Sequence, residues 1–94
     1  MQNIDVTPSY GGDTPPNWTV YILKCNDGSH YSGCTQNLND RLARHQKGYV
    51  KSTKYRLPVS LVTYIVFKDK YKAYKFEKYL KSGSGRAFMN KRLI

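Results

Sequence analysis

The 94 residues leave room for one domain with one hydrophobic core, and sixteen Lys and Arg against six Asp and Glu give a formal net charge of +10. So large a positive charge favours a polyanionic partner such as nucleic acid, although a merely solubilising surface or a ribosomal-type protein would carry it too. Two cysteines are too few for a disulfide scaffold or a four-cysteine zinc site, and no apolar run is long enough to span a membrane; we therefore expect a cytoplasmic protein with reduced thiols and no membrane partner.

The first segment of the chain is poor in core-forming residues. Residues 1–17 hold three prolines and two glycines, which predicts a disordered or weakly ordered tail before a domain over residues 18–94. Aromatic and β-branched residues then predict strands over residues 18–25 and 29–34, joined at an Asn-Asp-Gly turn signal.

The length of this hairpin loop decides the face on which Tyr31 lies. A two-residue turn would pair Lys24 with Tyr31 and leave Tyr21 on the opposite face. A three-residue loop, with Gly28 in the left-handed conformation, pairs Leu23 with Tyr31 instead. Because that shift of one residue moves Tyr31 to the face of Tyr21, we expect the three-residue loop if both tyrosines serve one site.

The rest of the chain predicts three helices and one more strand. The predicted elements are a helix over 38–46, a basic loop over 49–58, a strand over 59–67, a helix over 70–82 and a helix over 86–93 capped by Ser84. The run 59–67 is the most apolar and is expected to be the best-buried strand. The fold class is therefore α+β, a small three-stranded, mostly antiparallel sheet flanked by helices in the order β-β-α-β-α-α.

The later helix carries a lone carboxylate among lysines. Glu77 is the only glutamate in the chain. One carboxylate is a poor cage for a free ion but is adequate for Mg²⁺, which keeps several waters and takes other ligands from substrate phosphate. The alternative is a surface ion pair between Glu77 and Lys81, which stand at i and i+4.

Four other side chains have the chemistry of a phosphodiester site. Arg41 is suited to bidentate phosphate binding, and His45, one turn later, is suited to orienting or deprotonating a water. The hydroxyls of Tyr21 and Tyr31 are suited to orienting a water or a phosphate oxygen. Each residue alone has a plainer explanation: the arginine would be solvated, and the histidine and the tyrosines would be packing residues. The indication of a phosphodiester site therefore comes from the combination of these residues and their order in the chain.

That order resembles the GIY-YIG nuclease family over about residues 17–93. Residues 19–21 (TVY) correspond to the first motif of the family, and residues 31–33 (YSG) correspond to the second. Residues 41–45 (RLARH) correspond to the helix that carries the arginine, and Glu77 corresponds to the metal-binding glutamate. The chain is similar to compact stand-alone bacterial members and to the nuclease domain of the excision-repair incision subunit. The resemblance implies a DNA-repair endonuclease that hydrolyses DNA phosphodiester bonds with Mg²⁺ or Mn²⁺ and leaves a 5′-phosphate.

By the same resemblance, the catalytic residues are Tyr21, Tyr31, Arg41, His45 and Glu77, with Glu77 as the metal ligand. The motifs depart from the family pattern at Thr19, Ser32 and Cys34. Weaker candidates for nucleic-acid contacts are Lys51, Lys54, Tyr55, Arg56 and Asn90. Two alternatives stay open: a non-catalytic nucleic-acid-binding module, and an auxiliary domain that needs a protein partner for activity.

Overall fold

The computed structural model of the protein describes residues 17–94, so the predicted tail, Asn17 apart, lies outside the described residues. The elements are β1 (Trp18–Lys24), β2 (His30–Thr35), α1 (Leu38–Gln46), β3 (Ser60–Phe67), α2 (Lys70–Leu80) and α3 (Gly83–Arg92). The predicted order β-β-α-β-α-α is confirmed. Within residues 17–94, none of the helices combines the length and the apolar character that crossing a membrane requires.

The three strands form one antiparallel sheet in the order β2-β1-β3. The prediction that residues 59–67 form the best-buried strand is wrong, because β3 lies at an edge and β1 occupies the centre. Tyr64 and Val66 of β3 are 53% and 51% exposed, whereas five consecutive residues of β1 are buried. An apolar, β-branched run indicates a fit to a pleated surface, and it does not specify the position of the strand in the sheet.

The hairpin has the three-residue loop that the sequence predicts for a shared tyrosine face. Leu23 pairs with Tyr31, and Gly28 has a φ of +85°. The Cys25 N–H donates to the Ser29 carbonyl at 2.8 Å, which closes the loop over residues 26–28. Tyr31 therefore lies on the same face of the sheet as Tyr21.

Alternate residues of β1 supply two separate cores, one on each face of the sheet. Val20 and Ile22 pack with Ala73 and Leu80 of α2. On the other face, a second cluster is made by Tyr21, Leu23, Cys25 and Val59 and is covered by Leu38 and Leu42 of α1. Cys25 and Cys34 are both free and lie against different clusters, so they do not face each other across the hairpin.

Helix α3 begins earlier than the sequence predicts. Ser82, and not Ser84, is its N-cap, since the Ser82 hydroxyl accepts a hydrogen bond from the Gly85 N–H at 3.1 Å. Gly85 meets the end of α2 so closely that a Cβ atom there would lie 1.7 Å from the Tyr79 carbonyl oxygen. The absence of a side chain at Gly85 allows α3 to fold back against α2 at this point.

Candidate active site

A chain of hydrogen bonds links β1, α1 and the loop before β3. The Tyr21 hydroxyl lies 2.8 Å from His45 Nε2, and His45 Nδ1 lies 2.7 Å from Thr53 Oγ1. All three residues are 0% exposed. Because buried polar groups need partners, this chain satisfies both ring nitrogens of His45 and fixes the orientation of its ring.

The direction of the protons along this chain follows from the partners of Tyr21. The Arg41 Nε–H donates to the Tyr21 oxygen at 3.4 Å, and a guanidinium has no acceptor atom. Among the hydrogen bonds of residues 17–94, His45 Nε2 is thus the one acceptor for the phenolic proton of Tyr21, and we assign the donation in that direction. Neutral imidazole then carries its proton on Nδ1 and donates it to Thr53.

Burial keeps the chain neutral. Desolvation, with a smaller contribution from the charge of Arg41, lowers the pKa of His45 from its ordinary 6.5 to about 4. Desolvation also raises the pKa of Tyr21, opposed by its hydrogen bond to Arg41. At neutral pH the phenol is thus protonated and the imidazole is uncharged and able to accept a proton.

The second tyrosine and the glycine two residues after it shape the space around Tyr21. The ring of Tyr31 lies 6.3 Å from that of Tyr21 and 5.2 Å from that of His45, and Tyr31 is half-buried. A Cβ atom at Gly33, which pairs with Tyr21 across the hairpin, would lie 2.5 Å from the Tyr21 hydroxyl. Gly33 therefore makes room for the phenol to reach His45.

Arg41 is the cation of the site that is available to an anion. Its side chain is half-buried, and no carboxylate within residues 17–94 forms an ion pair with it. The hydrogen bond to Tyr21 raises the pKa of Arg41, so the guanidinium stays charged. A held, unpaired guanidinium is suited to bidentate binding of a phosphate.

Glu77 approaches from α2, at the β2 edge of the sheet. Its carboxylate accepts a hydrogen bond from Ser32 Oγ at 3.4 Å and forms an ion pair with Lys81. The ion pair that the sequence offered as an alternative is therefore present, yet the Glu77 side chain is only 18% exposed. The Lys81 ammonium that pairs with Glu77 also lies 5.8 Å from the centroid of the Tyr31 ring, which links Glu77 to the second tyrosine.

This donor set fits one kind of metal ion. Residues 17–94 hold no group of three or more His, Cys, Asp and Glu side chains that would enclose a cation. The single carboxylate of Glu77, with the Ser32 hydroxyl beside it, fits an ion such as Mg²⁺ that retains most of its water ligands. It does not fit Zn²⁺, which takes three or four protein ligands.

Comparison with known proteins identifies the family. Residues 17–92 match the family model of the GIY-YIG catalytic domain. The chain belongs to the GIY-YIG family. UPF0213 proteins of Streptococcus pyogenes serotype M5 (strain Manfredo) and serotype M3 (strain ATCC BAA-595 / MGAS315) are each 44% identical over 69 residues, which cover 72% of this chain and 75% of theirs.

A solved structure supports the same assignment of fold. The solution NMR structure of the UPF0213 protein BH0048 from Bacillus halodurans is 35% identical, with a TM-score of 0.52 over 80% of this chain and 83% of that one. The GIY-YIG catalytic domain is a nuclease domain, and the substrate class of this chain is therefore nucleic acid.

Tyr21, Tyr31, Arg41 and His45 lie together on the α1 face of the sheet. Glu77 instead bonds to Ser32, which faces α2, and is linked to the other four through Lys81, whose ammonium lies 5.8 Å from the centroid of the Tyr31 ring. The weaker candidates are spread around these residues. Lys51, Lys54 and Tyr55 are exposed on the loop before β3. Arg56 donates to the Ser52 carbonyl and to the Ser29 hydroxyl, so it ties that loop to the hairpin. Asn90 is exposed on α3 and lines a cleft beside Tyr31.

Two side chains of the site were not among the predicted residues. Thr53 lies in the basic loop over residues 49–58, and its hydroxyl is buried against His45. Ser32 departs from the second GIY-YIG motif at a position to which no chemistry was assigned, and it donates to Glu77. The register of the hairpin, in which Ser32 pairs with Ile22 and so faces α2, is the signal that would have identified Ser32.

We expect the stability of the protein to fall as the pH drops from about 6.5 towards 4. In this range His45 is protonated in the unfolded chain but stays neutral in the folded protein. The contribution of His45 to the free energy of unfolding is therefore complete above pH 6.5 and is lost as the pH falls towards the folded pKa of about 4. The slope is at most about 1.4 kcal/mol per pH unit. Urea unfolding at pH 7.5, 6.5, 5.5 and 5.0 measures it. His45→Gln should flatten the slope and His30→Gln should not; equal slopes in all three proteins would contradict this prediction.

Replacing Thr53 by valine should disturb His45 while preserving the shape of the side chain. Valine leaves Nδ1 without a partner in a buried site, which costs about 1–3 kcal/mol of unfolding free energy. A shift of the ring proton to Nε2 exchanges an unpaired donor at Nδ1 for an unpaired acceptor, so the tautomer can change while the loss of stability remains. Nitrogen-15 NMR of the ring reports the tautomer, and urea unfolding reports the stability. Thr53→Ser should restore both, and an unchanged tautomer in Thr53→Val would show that Thr53 does not set it.

Proposed function

We propose that this protein is a divalent-metal-dependent endonuclease that hydrolyses DNA phosphodiester bonds at a site formed by Tyr21, Tyr31, Arg41, His45 and Glu77. The observation that carries the proposal is the half-buried Arg41 guanidinium, which makes no ion pair within residues 17–94 and lies against the Tyr21 hydroxyl. A bare cation held beside proton-carrying groups is suited to an anionic reaction centre.

Arg41 would bind the scissile phosphate and offset the negative charge that grows on it in the transition state. Its contact with Tyr21 is long, at 3.4 Å, so a phosphate can draw the guanidinium away with little loss. This movement would open the Tyr21 hydroxyl, which is otherwise covered, to an attacking water.

Tyr21 and His45 would move the proton of that water. The Tyr21 oxygen accepts the proton as the phenol passes its own to His45 Nε2, so no free phenolate is needed. The charge of Arg41 is one cause of the low pKa of His45, and a phosphate bound to Arg41 offsets that charge. The basicity of His45 would therefore rise when substrate binds.

Glu77 would hold the divalent ion, with Ser32 donating to the same carboxylate. When bound, Mg²⁺ or Mn²⁺ supplies Lewis-acid polarisation of a phosphoryl oxygen. Lys81 forms an ion pair with Glu77. A divalent ion held by Glu77 would replace the Lys81 ammonium, and Lys81 would then be free to contact the nucleic acid. Tyr31, half-buried and beside both Tyr21 and Lys81, would contact the substrate through its hydroxyl.

The experiment is a cleavage assay on single-stranded, duplex and branched DNA with Mg²⁺, with Mn²⁺ and with EDTA. We expect cleavage that requires the metal and leaves 5′-phosphate ends. DNA binding that falls steeply with salt, without cleavage of any substrate, would favour the non-catalytic binding module. Cleavage seen only after a cellular protein fraction is added would favour the auxiliary domain. A role in DNA repair and a cytoplasmic location belong to the same proposal.

A further inference from the structure

A cleft of about 430 Å³ opens beside the candidate site, between β2 and the packed ends of α2 and α3. Residues 29–32 of the hairpin form one wall. Tyr31 and Lys81 belong both to this cleft and to the candidate site, since Tyr31 contacts His45 and Lys81 pairs with Glu77. The two are therefore parts of one continuous surface.

The helical wall of the cleft is positively charged. Lys81 and Arg86 are its cations, and no aspartate or glutamate occurs among the described residues that line it. Arg86 is exposed and makes no ion pair within residues 17–94, and Asn90 lies one turn further along the same helix. A guanidinium and an amide on one helix face are suited to binding phosphate oxygens.

The floor of the cleft is apolar. Leu80 and Met89 line it, and the ring of Tyr31 borders it with the Lys81 ammonium 5.8 Å from the ring centroid. An aromatic face and a flexible thioether are surfaces on which a nucleobase packs. A ligand that uses both the cations and this floor must carry a phosphate and a flat apolar group, and a nucleotide has both.

We propose that this cleft is a second nucleotide subsite, which binds the nucleotide next to the scissile phosphate with its phosphate on Arg86 and Asn90 and its base against Tyr31 and Met89. The inference rests on the proposed nuclease function, because it requires a strand that runs from Arg41 into the cleft. It assigns Arg86 to substrate binding and gives no bond-breaking step to the residues of α3.

Binding without catalysis tests the proposal. Chemical shift changes are recorded in EDTA with thymidine 5′-monophosphate, the dinucleotide d(pTpT) and inorganic phosphate. We expect the mononucleotide to shift the amides of residues 29–32 and 86–90 and to bind at least fivefold more tightly than phosphate. The dinucleotide should bind at least tenfold more tightly than the mononucleotide, because it occupies both subsites. Equal binding of all three, or shifts that leave the cleft untouched, would overturn the subsite.

Two matched variants locate the effect. Arg86→Gln should remove most of the advantage of the dinucleotide, whereas Arg92→Gln, which removes the same charge at the other end of α3, should change binding less than twofold. In a cleavage assay with a short oligonucleotide, Arg86→Gln should raise KM at least fivefold and leave kcat within twofold, since a binding contact away from the reacting atoms acts uniformly. Equal losses in the two variants would overturn the role of Arg86. Because the binding arm needs neither metal nor cleavage, an inactive protein that still binds d(pTpT) in this way would refute the nuclease proposal alone.

Discussion

Replacing Glu77 by glutamine should abolish metal-dependent DNA cleavage while DNA binding persists. Glutamine keeps the size of the side chain but loses the negative charge of the single carboxylate that we propose as the ligand of the divalent cation. Lewis-acid stabilisation is worth several kcal/mol, so we expect a rate loss on the order of a thousandfold. The measurement is single-turnover cleavage of labelled DNA with Mg²⁺, beside a binding titration of the same DNA.

The fold should survive this change. Glutamine has nearly the shape of glutamate, its amide oxygen can still accept the hydrogen bond from Ser32, and the Lys81 ammonium that loses its partner is 54% exposed and can be solvated. Asp40→Asn, on the exposed side of α1, is the matched control because it removes one acidic charge away from the site. Glu77→Ala should behave like Glu77→Gln. Equal cleavage by the wild type and both Glu77 variants would identify a contaminating nuclease and remove Glu77 from the site.

Replacing Arg41 by alanine should slow cleavage by about 10²–10³-fold, which corresponds to about 2.7–4 kcal/mol of transition-state stabilisation. In the proposed mechanism the guanidinium offsets the developing charge, and its removal also takes away the donor to the Tyr21 oxygen. Arg41→Lys should recover only part of the rate, because an ammonium keeps the charge but lacks the planar pair of donors. Single-turnover rates measure the loss.

Arg44 offers the matched control for Arg41. It stands on the same helix, is exposed, and contacts the ring of Tyr49. Arg44→Ala removes the same charge without touching the Tyr21 hydroxyl, and its rate should stay within a few-fold of the wild type. A loss below tenfold in Arg41→Ala, or similar losses in both variants, would show that Arg41 contributes only to the general attraction of DNA.

The sequence was sufficient for the parts of the site that depend on alternation and helical spacing. Leu23 pairs with Tyr31 as the three-residue loop requires, and the helix that carries Arg41 and His45 has the predicted bounds. The two-residue period of a strand tied the shared face to the length of the loop, and the choice of the three-residue loop rested on the assumption that both tyrosines serve one site.

The features that the sequence did not reveal depend on contacts between distant segments. The order of strands in the sheet leaves β3 at an edge, and local apolar character cannot report that order. Thr53 contacts His45 because the loop after α1 folds back over the end of the helix. In the sequence, nothing distinguishes the hydroxyl of Thr53 from that of its neighbour Ser52. Helix α3 starts at Gly83, after the N-cap Ser82, where Gly85 approaches the Tyr79 carbonyl closely, and that approach is a contact between two helices.

The hairpin loop has a consequence for how this protein can change during evolution. Deleting one of its three residues would exchange the two sides of β2, so that Ser32 would point towards α1 and Tyr31 towards α2. Such a deletion would move Tyr31 away from Tyr21 and His45, although the deleted residue itself lies in the hairpin loop and not in the proposed site. A change of loop length that keeps both tyrosines on one face is therefore an insertion of two residues, or a single insertion or deletion offset by a second bulge in the same strand.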